Sequence, residues 1–370
     1  MLEQDKNRVT EVTMTGTSDS DGMQEKKDSP MDVDFPNKEP ESGHQPEPDE
    51  IYRSDLLAVR PVPNAGLGLF ATAPIPAGTR LIRESPLLTL SDMADLPDLY
   101  AKVLALSPSR RSHFWSLAAY RRRHEEVDWI PAIRNTYGND CDDFDALCDK
   151  VLHAWLIYET NRFTVRSEGG ARDQMGLFPL AARLNHSCRP NVFHRHNHLI
   201  GRLTIHALRD IEAGEEVCTS YIDVVHPMRE RRRILRHWGF KCACGECRHP
   251  GVAGEHRRKR LEEMTAKMRK EEQRRAMMNW DRWDYARSLG VLEEMVALMG
   301  EEGLDESDTL GEVVGLGAEY AMNVGWWDMA REWAQRACEI EERCLGRDGS
   351  EWLEARERLA EAEKGPAVPE

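Results

Sequence analysis

Cys242, Cys244 and Cys247 stand in a C-x-C-x2-C pattern, a spacing that lets one tight turn bring three thiolates to a single tetrahedral zinc. Three ligands do not close a structural site. Cys188, Cys218 and His249 are the nearest candidates for the fourth. Upstream, Asn185-His186-Ser187-Cys188-Arg189-Pro190-Asn191 puts amide, imidazole, thiol and proline into seven residues. Such a run suits an irregular loop held by side-chain to backbone hydrogen bonds.

The elements around these residues are mostly extended. From Ile51 to Leu90 the turn signals Asn64-Ala65-Gly66 and Pro76-Ala77-Gly78 separate strand-like runs at Leu67 to Ala71, Thr79 to Glu84 and Leu87 to Leu90. Residues 91 to 160 change to helical spacing, with Leu96, Leu99, Val103 and Leu104, then Phe144, Leu147, Val151, Leu152 and Trp155. They predict a helical insert. The extended pattern resumes at Asn161 to Val165, and Val192 to His198 with Leu203 to Leu208 predict an antiparallel pair. Beyond about His256 the chain reads as helix, with Ala318 to Ile340 spaced around Gly325 as in a tetratricopeptide-like hairpin. One such unit without a clean period fits a generic helical lobe, over residues 255 to 365, better than a true repeat.

The 370 residues carry 65 acidic against 50 basic groups, a formal charge of −15. Residues 1 to 50 contribute −9 of it and hold a single aromatic residue; they lack the apolar area that offsets ordering entropy and are expected to be a disordered acidic tail. The remaining −6 gives no reason to expect nucleic acid or an anionic membrane as the main partner. The basic runs at Arg231 to Arg233 and Arg257 to Arg260 read as solvated helix faces, or else as import signals or contacts to an acidic partner. No stretch approaches the roughly 20 apolar residues of a membrane span, and there is no secretory signal pattern. The expectation is a monomer of the nucleus or cytoplasm, where nine cysteines serve as thiols or metal ligands.

Four blocks in order, Gly66-Leu67-Gly68-Leu69-Phe70-Ala71, Asn161-Arg162-Phe163-Thr164-Val165, Asn185 to Asn191, and Gly214-Glu215-Glu216 through Ser220-Tyr221 to the cysteines, resemble a SET domain of the SET and MYND family, or of the fungal proteins that keep this domain without the finger. The resemblance covers residues 53 to 250. It implies an α+β fold: a β-rich SET domain over 51–240, interrupted by the insert, closed by a post-SET zinc segment at 241–250, and followed by the helical lobe. It implies transfer of a methyl group from S-adenosylmethionine to a lysine of a protein substrate. Gly66, Leu67 and Gly68 then match residues beside the cofactor, where a backbone without Cβ approaches closely. Asn161, Asn185 and His186 match positions that hold the cofactor's amino-acid end and adenine, and Phe240 resembles the aromatic that covers the adenine. Tyr221 matches the tyrosine beside the transferred methyl, as catalytic and cofactor-binding residue. Phe163 and Trp238 are candidates for the walls of a channel that threads the lysine stem.

The resemblance also bears on the fourth zinc ligand. In similar proteins the cysteine of the Asn185 block completes the site, implying Cys188. The residues agree: His249 would need the chain to reverse at once after Cys247, and Cys218 lies in a strand-like run where a small buried hydrophobe is expected. Two departures stand out. Residues 91 to 160 contain only Cys141 and Cys148, so a MYND finger is not expected, and Trp238 stands where relatives often carry tyrosine. A rival reading is a catalytically silent SET fold that serves as a protein-interaction scaffold; Asn185, His186 and Tyr221, which a scaffold need not keep, argue for the enzyme.

Overall fold

The computed structural model describes residues 52–91, 94–120, 129–138, 143–167, 173–249, 251–278, 284–304 and 307–366. The acidic tail and Cys141 lie outside them. Among the described residues, three small sheets form the β-rich part. The first runs β1 (Tyr52–Arg53), β4 (Arg80–Glu84), β10 (Arg202–Ala207), β9 (Val192–Asn197). The second runs β2 (Leu57–Val62), β3 (Gly66–Ala71), β11 (Glu216–Thr219), β8 (Asn185–His186), and the third β5 (Leu88–Leu90), β7 (Gln174–Leu177), β6 (Arg162–Val165). Alternation turns Leu69, Ala71, Leu203, Ile205 and Val217 into one buried cluster, as a half-buried pleat requires, and β4, buried on both faces, adds the consecutive Leu81 and Ile82. The predicted pairing of β9 with β10 is present, in the register Arg202 to Asn197 through Ala207 to Val192.

Among the described residues, four helices lie between β5 and β6: α1 (Leu96–Ala105), α2 (Pro108–Trp115), α3 (Ile130–Tyr137) and α4 (Phe144–Asn161). Asp95 and Asp98 form a capping box that starts α1, with Pro97 in its first turn. Leu96, Leu99, Val103, Val151, Ala154 and Ile157 build their own core. Asn161 is the last residue of α4 rather than the first of a strand. The strand turns out of a helix whose side of the chain is already committed to the insert.

After β11 come α5 (Met228–Leu235), a 3-10 turn (Arg236–Trp238) and the short α6 (Gly245–Arg248). Among the described residues that follow are α7 (Val252–Met278), α8 (Tyr285–Glu301), α9 (Asp308–Val324), α10 (Trp327–Leu345) and α11 (Ser350–Glu363). Gly325, at φ 78°, caps α9 in the left-handed conformation, and α10 packs back against α9. A Cβ on Gly317 would stand 1.9 Å from the Trp333 ring, so this crossing needs glycine. The lobe lies on the first sheet through α10. Arg195 of β9 ties it there, donating to Asp308 at 2.8 Å and to Glu351 at 2.6 Å.

The basic runs are not wholly solvated faces. Arg231 and Arg258 are each 1% exposed, because both are consumed in ion pairs between segments. Among the described residues no helix is long and apolar enough to cross a membrane.

Candidate active site and cysteine cluster

Asn185 and His186 do not lie in an irregular loop. They form β8, parallel to β11, with Asn185 opposite Cys218 and His186 opposite Thr219. The loop that follows is pinned to the same strand. Ser187 N–H donates to Thr219 O at 2.9 Å, Asn191 N–H to Cys218 O at 3.1 Å, and Cys218 N–H to the Asn191 side chain at 2.8 Å. The polar residues of this block thus complete a sheet edge, and they carry Cys188 and Tyr221 to one place.

Tyr221 is the centre of that place. Its hydroxyl donates to Leu184 O at 2.6 Å and its N–H to His186 Nδ1 at 3.1 Å. Because Nδ1 accepts, the neutral ring carries its proton on Nε2, which faces Cys188 Sγ at 3.2 Å. Burial is the main reason the ring stays neutral, pushing its pKa down to about 4. Burial likewise raises the Tyr221 phenol well above its ordinary value, with Cys218 and Glu216 adding to it. Around Tyr221 stand Trp238 at 5.3 Å, His186 at 5.4 Å and Phe240 at 6.2 Å between ring centroids. Trp238 is fixed by Nε1 donating to Thr160 O at 3.2 Å, at the end of α4.

Cys188, Cys242, Cys244 and Cys247 converge so that their four sulfurs lie within 4.8 Å of one another. Cys188 Sγ stands 3.6 Å from Cys247 Sγ and 3.9 Å from Cys242 Sγ. A tetrahedron with Zn–S bonds of about 2.3 Å has S···S edges of roughly 3.8 Å, so the donor set and its spacing both suit zinc. Of the three candidates for the fourth position, the fold brings Cys188. His249 is exposed, and Cys218 sits on β11 with its pKa pushed up to about 12, first by burial.

The glycine block lies beside this centre with two different environments. Gly66, at φ 78°, would project a Cβ into open space, and Leu67 is 41% exposed. At Gly68 a Cβ would stand 2.7 Å from Glu216 Oε1 and 3.0 Å from Asn185 Nδ2; the close approach there is made by the chain's own side chains. Asn185 Nδ2 donates to Glu216 at 2.7 Å and lies 3.4 Å from Leu67 O, which joins the first and third blocks. Asn161 donates its amide to Ala118 O and Ile157 O, both at 2.7 Å. Phe163 meets Phe178 and His194 edge to face at 5.9 and 5.1 Å and packs against the β core, so its ring contacts are with the core and not with the Tyr221 group.

Two residues had no signal in the sequence. Tyr120, from the insert, packs against Gly239: a Cβ there would stand 2.0 Å from its ring. Glu84 is buried beneath the turn that carries Leu184. An aromatic in a helical stretch and an acid in a strand are too common to single out.

Residues 66–222 match the model of the SET domain. It is 34% identical over 198 residues to the histone-lysine N-methyltransferase set5 of Schizosaccharomyces pombe, covering 53% of this chain and 51% of that protein. It is 36% identical over 150 residues to the N-lysine methyltransferase SMYD2-B of Danio rerio, covering 40% and 33%. It is 42% identical over 94 residues to the histone-lysine N-methyltransferase SET5 of Meyerozyma guilliermondii, covering 25% and 19%. The chain therefore spans about half the length of the first of these relatives and a smaller share of the others.

Proposed function

We propose that this chain is an S-adenosylmethionine-dependent protein-lysine N-methyltransferase, acting on a histone or another protein of the nucleus or cytoplasm. The observation that carries the reading is the direction of the hydrogen bond at Tyr221. Its proton is committed to Leu184 O, and its lone pairs remain to accept from an amine N–H. A lysine amine held there keeps its own lone pair free and aimed. When bound, S-adenosylmethionine supplies the electrophilic methyl. The chain supplies position and dryness: His186, Trp238 and Phe240 surround the phenol, and desolvation favours the neutral amine over ammonium.

The open backbone at Gly66 and Leu67 and the ring of Phe240 are the groups that would hold the cofactor. Both nitrogens of His186 are engaged within the protein, which leaves its main chain for that role. One structural zinc on Cys188, Cys242, Cys244 and Cys247 would pin the segment carrying Trp238 and Phe240 against β8. A silent scaffold has no need of an oriented phenol in an aromatic box.

The test is incubation of wild type and Tyr221→Phe with labelled S-adenosylmethionine and whole-cell extract. Wild type should label a protein band, and the variant should fold yet lose on the order of 100-fold in rate. Equal labelling by both proteins would remove Tyr221 from the mechanism; no labelling by wild type would favour the scaffold.

A further inference from the structure

We propose that Glu84 is a positioning residue for the transfer: its buried carboxylate fixes the turn whose final carbonyl orients the hydroxyl of Tyr221. The inference rests on the reading of Tyr221 as the residue that meets the amine. Glu84 ends β4 and is 0% exposed. Its Oε1 accepts from Leu180 N–H and its Oε2 from Ala181 N–H, both at 2.9 Å. These two N–H groups open the 3-10 turn at Ala181–Arg183. The turn then closes on itself, with Arg183 N–H donating to Leu180 O and Leu184 N–H to Ala181 O, each at 3.0 Å. The carbonyl of that same Leu184 accepts the Tyr221 hydroxyl at 2.6 Å. Leu184 is itself 1% exposed, so the path from carboxylate to phenol is hydrogen-bonded or packed at every step.

A wholly buried carboxyl is an expensive way to begin a three-residue turn, because neutral caps satisfy an opening N–H without burying an acid. What it adds is two acceptor oxygens on one rigid plane, which hold two successive N–H groups in fixed orientation. Burial pushes the group up to about 7 against the lowering effect of those two bonds. A displacement on the order of 1 Å at the reacting geometry is enough to slow a reaction about 100-fold.

The experiment compares wild type, Glu84→Gln, Tyr221→Phe and the double variant, with labelled S-adenosylmethionine varied at fixed whole-cell extract. Glu84→Gln keeps the side-chain shape but one acceptor oxygen. It should lower apparent kcat by about tenfold or more while KM for S-adenosylmethionine stays within about twofold, and it should add nothing to Tyr221→Phe. Losses that multiply in the double variant, or a Glu84→Gln that melts earlier but turns over at the full rate per folded molecule, would overturn the proposal. If Glu84→Gln does not fold, Glu84→Asp replaces it, with both oxygens on a stem one methylene shorter; an unchanged kcat there also overturns it. A slow Tyr221→Phe beside a full-speed Glu84→Gln sinks this proposal alone. Equal turnover by wild type and Tyr221→Phe sinks the reading of Tyr221 and this proposal with it.

Discussion

Arg258 donates through Nε to Glu302 at 2.9 Å, with the two side chains 2% and 6% exposed. The same guanidinium donates to Val224 O and reaches Glu246 at 3.4 Å. One cation therefore joins α7, the end of α8, the segment just after Tyr221 and the turn between Cys244 and Cys247. The helical lobe and the cysteine cluster are held to each other through charge.

Arg258→Ala should be strongly destabilising. It leaves Glu302 buried with Arg257 as its remaining cation, at 2.6 Å, and breaking a buried pair from one side costs about 3–5 kcal/mol. Glu246→Ala, which removes a carboxylate that is 28% exposed and 3.4 Å from Arg258, should matter much less. Urea midpoints for the two variants check the order, and an Arg258→Ala as stable as wild type would contradict it.

Cys188→Ser should lower zinc content, S-adenosylmethionine affinity and thermal stability together, because metal binding and ordering of this region are one equilibrium. His249→Ala should leave all three nearly unchanged, its ring being exposed and outside the four-sulfur cluster. Elemental analysis and calorimetry on both variants decide the matter. One tightly held zinc in Cys188→Ser, with none in His249→Ala, would be the contrary result.

The pairing of β9 with β10 and the three-cysteine turn were legible because each follows from local spacing: period two in the strands, and C-x-C-x2-C in the turn. The α+β class came from the resemblance of the four blocks, and Cys188 from that resemblance together with the elimination of His249 and Cys218. Asn185 and His186 were misread as loop since polar, proline-containing text is what a loop looks like. Only their long-range partner β11 makes them a strand. Arg231 and Arg258 looked like surface for the same reason, as an arginine's burial depends on carboxylates far along the chain. Glu84, Tyr120 and the rings around Phe163 were illegible because their roles are set by tertiary contacts alone.

Gly239→Ala should disturb the aromatic wall formed by its two neighbours, Trp238 and Phe240. Gly239 has φ 77°, where a side chain costs about 1–2 kcal/mol, and its new Cβ would meet the Tyr120 ring at 2.0 Å. Tyr120→Ala in the same chain should restore part of the loss by giving the methyl room. Melting temperatures of the two single variants and the double variant give the coupling. A Gly239→Ala penalty that Tyr120→Ala does not reduce would show that backbone strain alone is responsible.

Glu341 should make the protein less stable as pH rises. It is 6% exposed, its Oε2 has no hydrogen-bond partner among the described residues, and its pKa is raised from 4.5 to about 8. Burial is the main cause; Arg195 opposes it, while Asp308, Glu351 and Glu312 add to it. The folded state therefore holds a proton that the unfolded state releases above about 4.5, so its contribution is full below that pH and is lost as pH climbs through 8. Glu341→Gln replaces the titrating group with a neutral one of the same shape. The variant should melt a few degrees above wild type on the alkaline side of the window and close to it on the acid side. Some slope should remain, because Glu312 and Glu84 are each raised to about 7 and lose their protons in the same window. Melting curves from pH 5 to pH 9 are the measurement. A Glu341→Gln curve that runs parallel to wild type across that range would show that this carboxyl does not titrate between them.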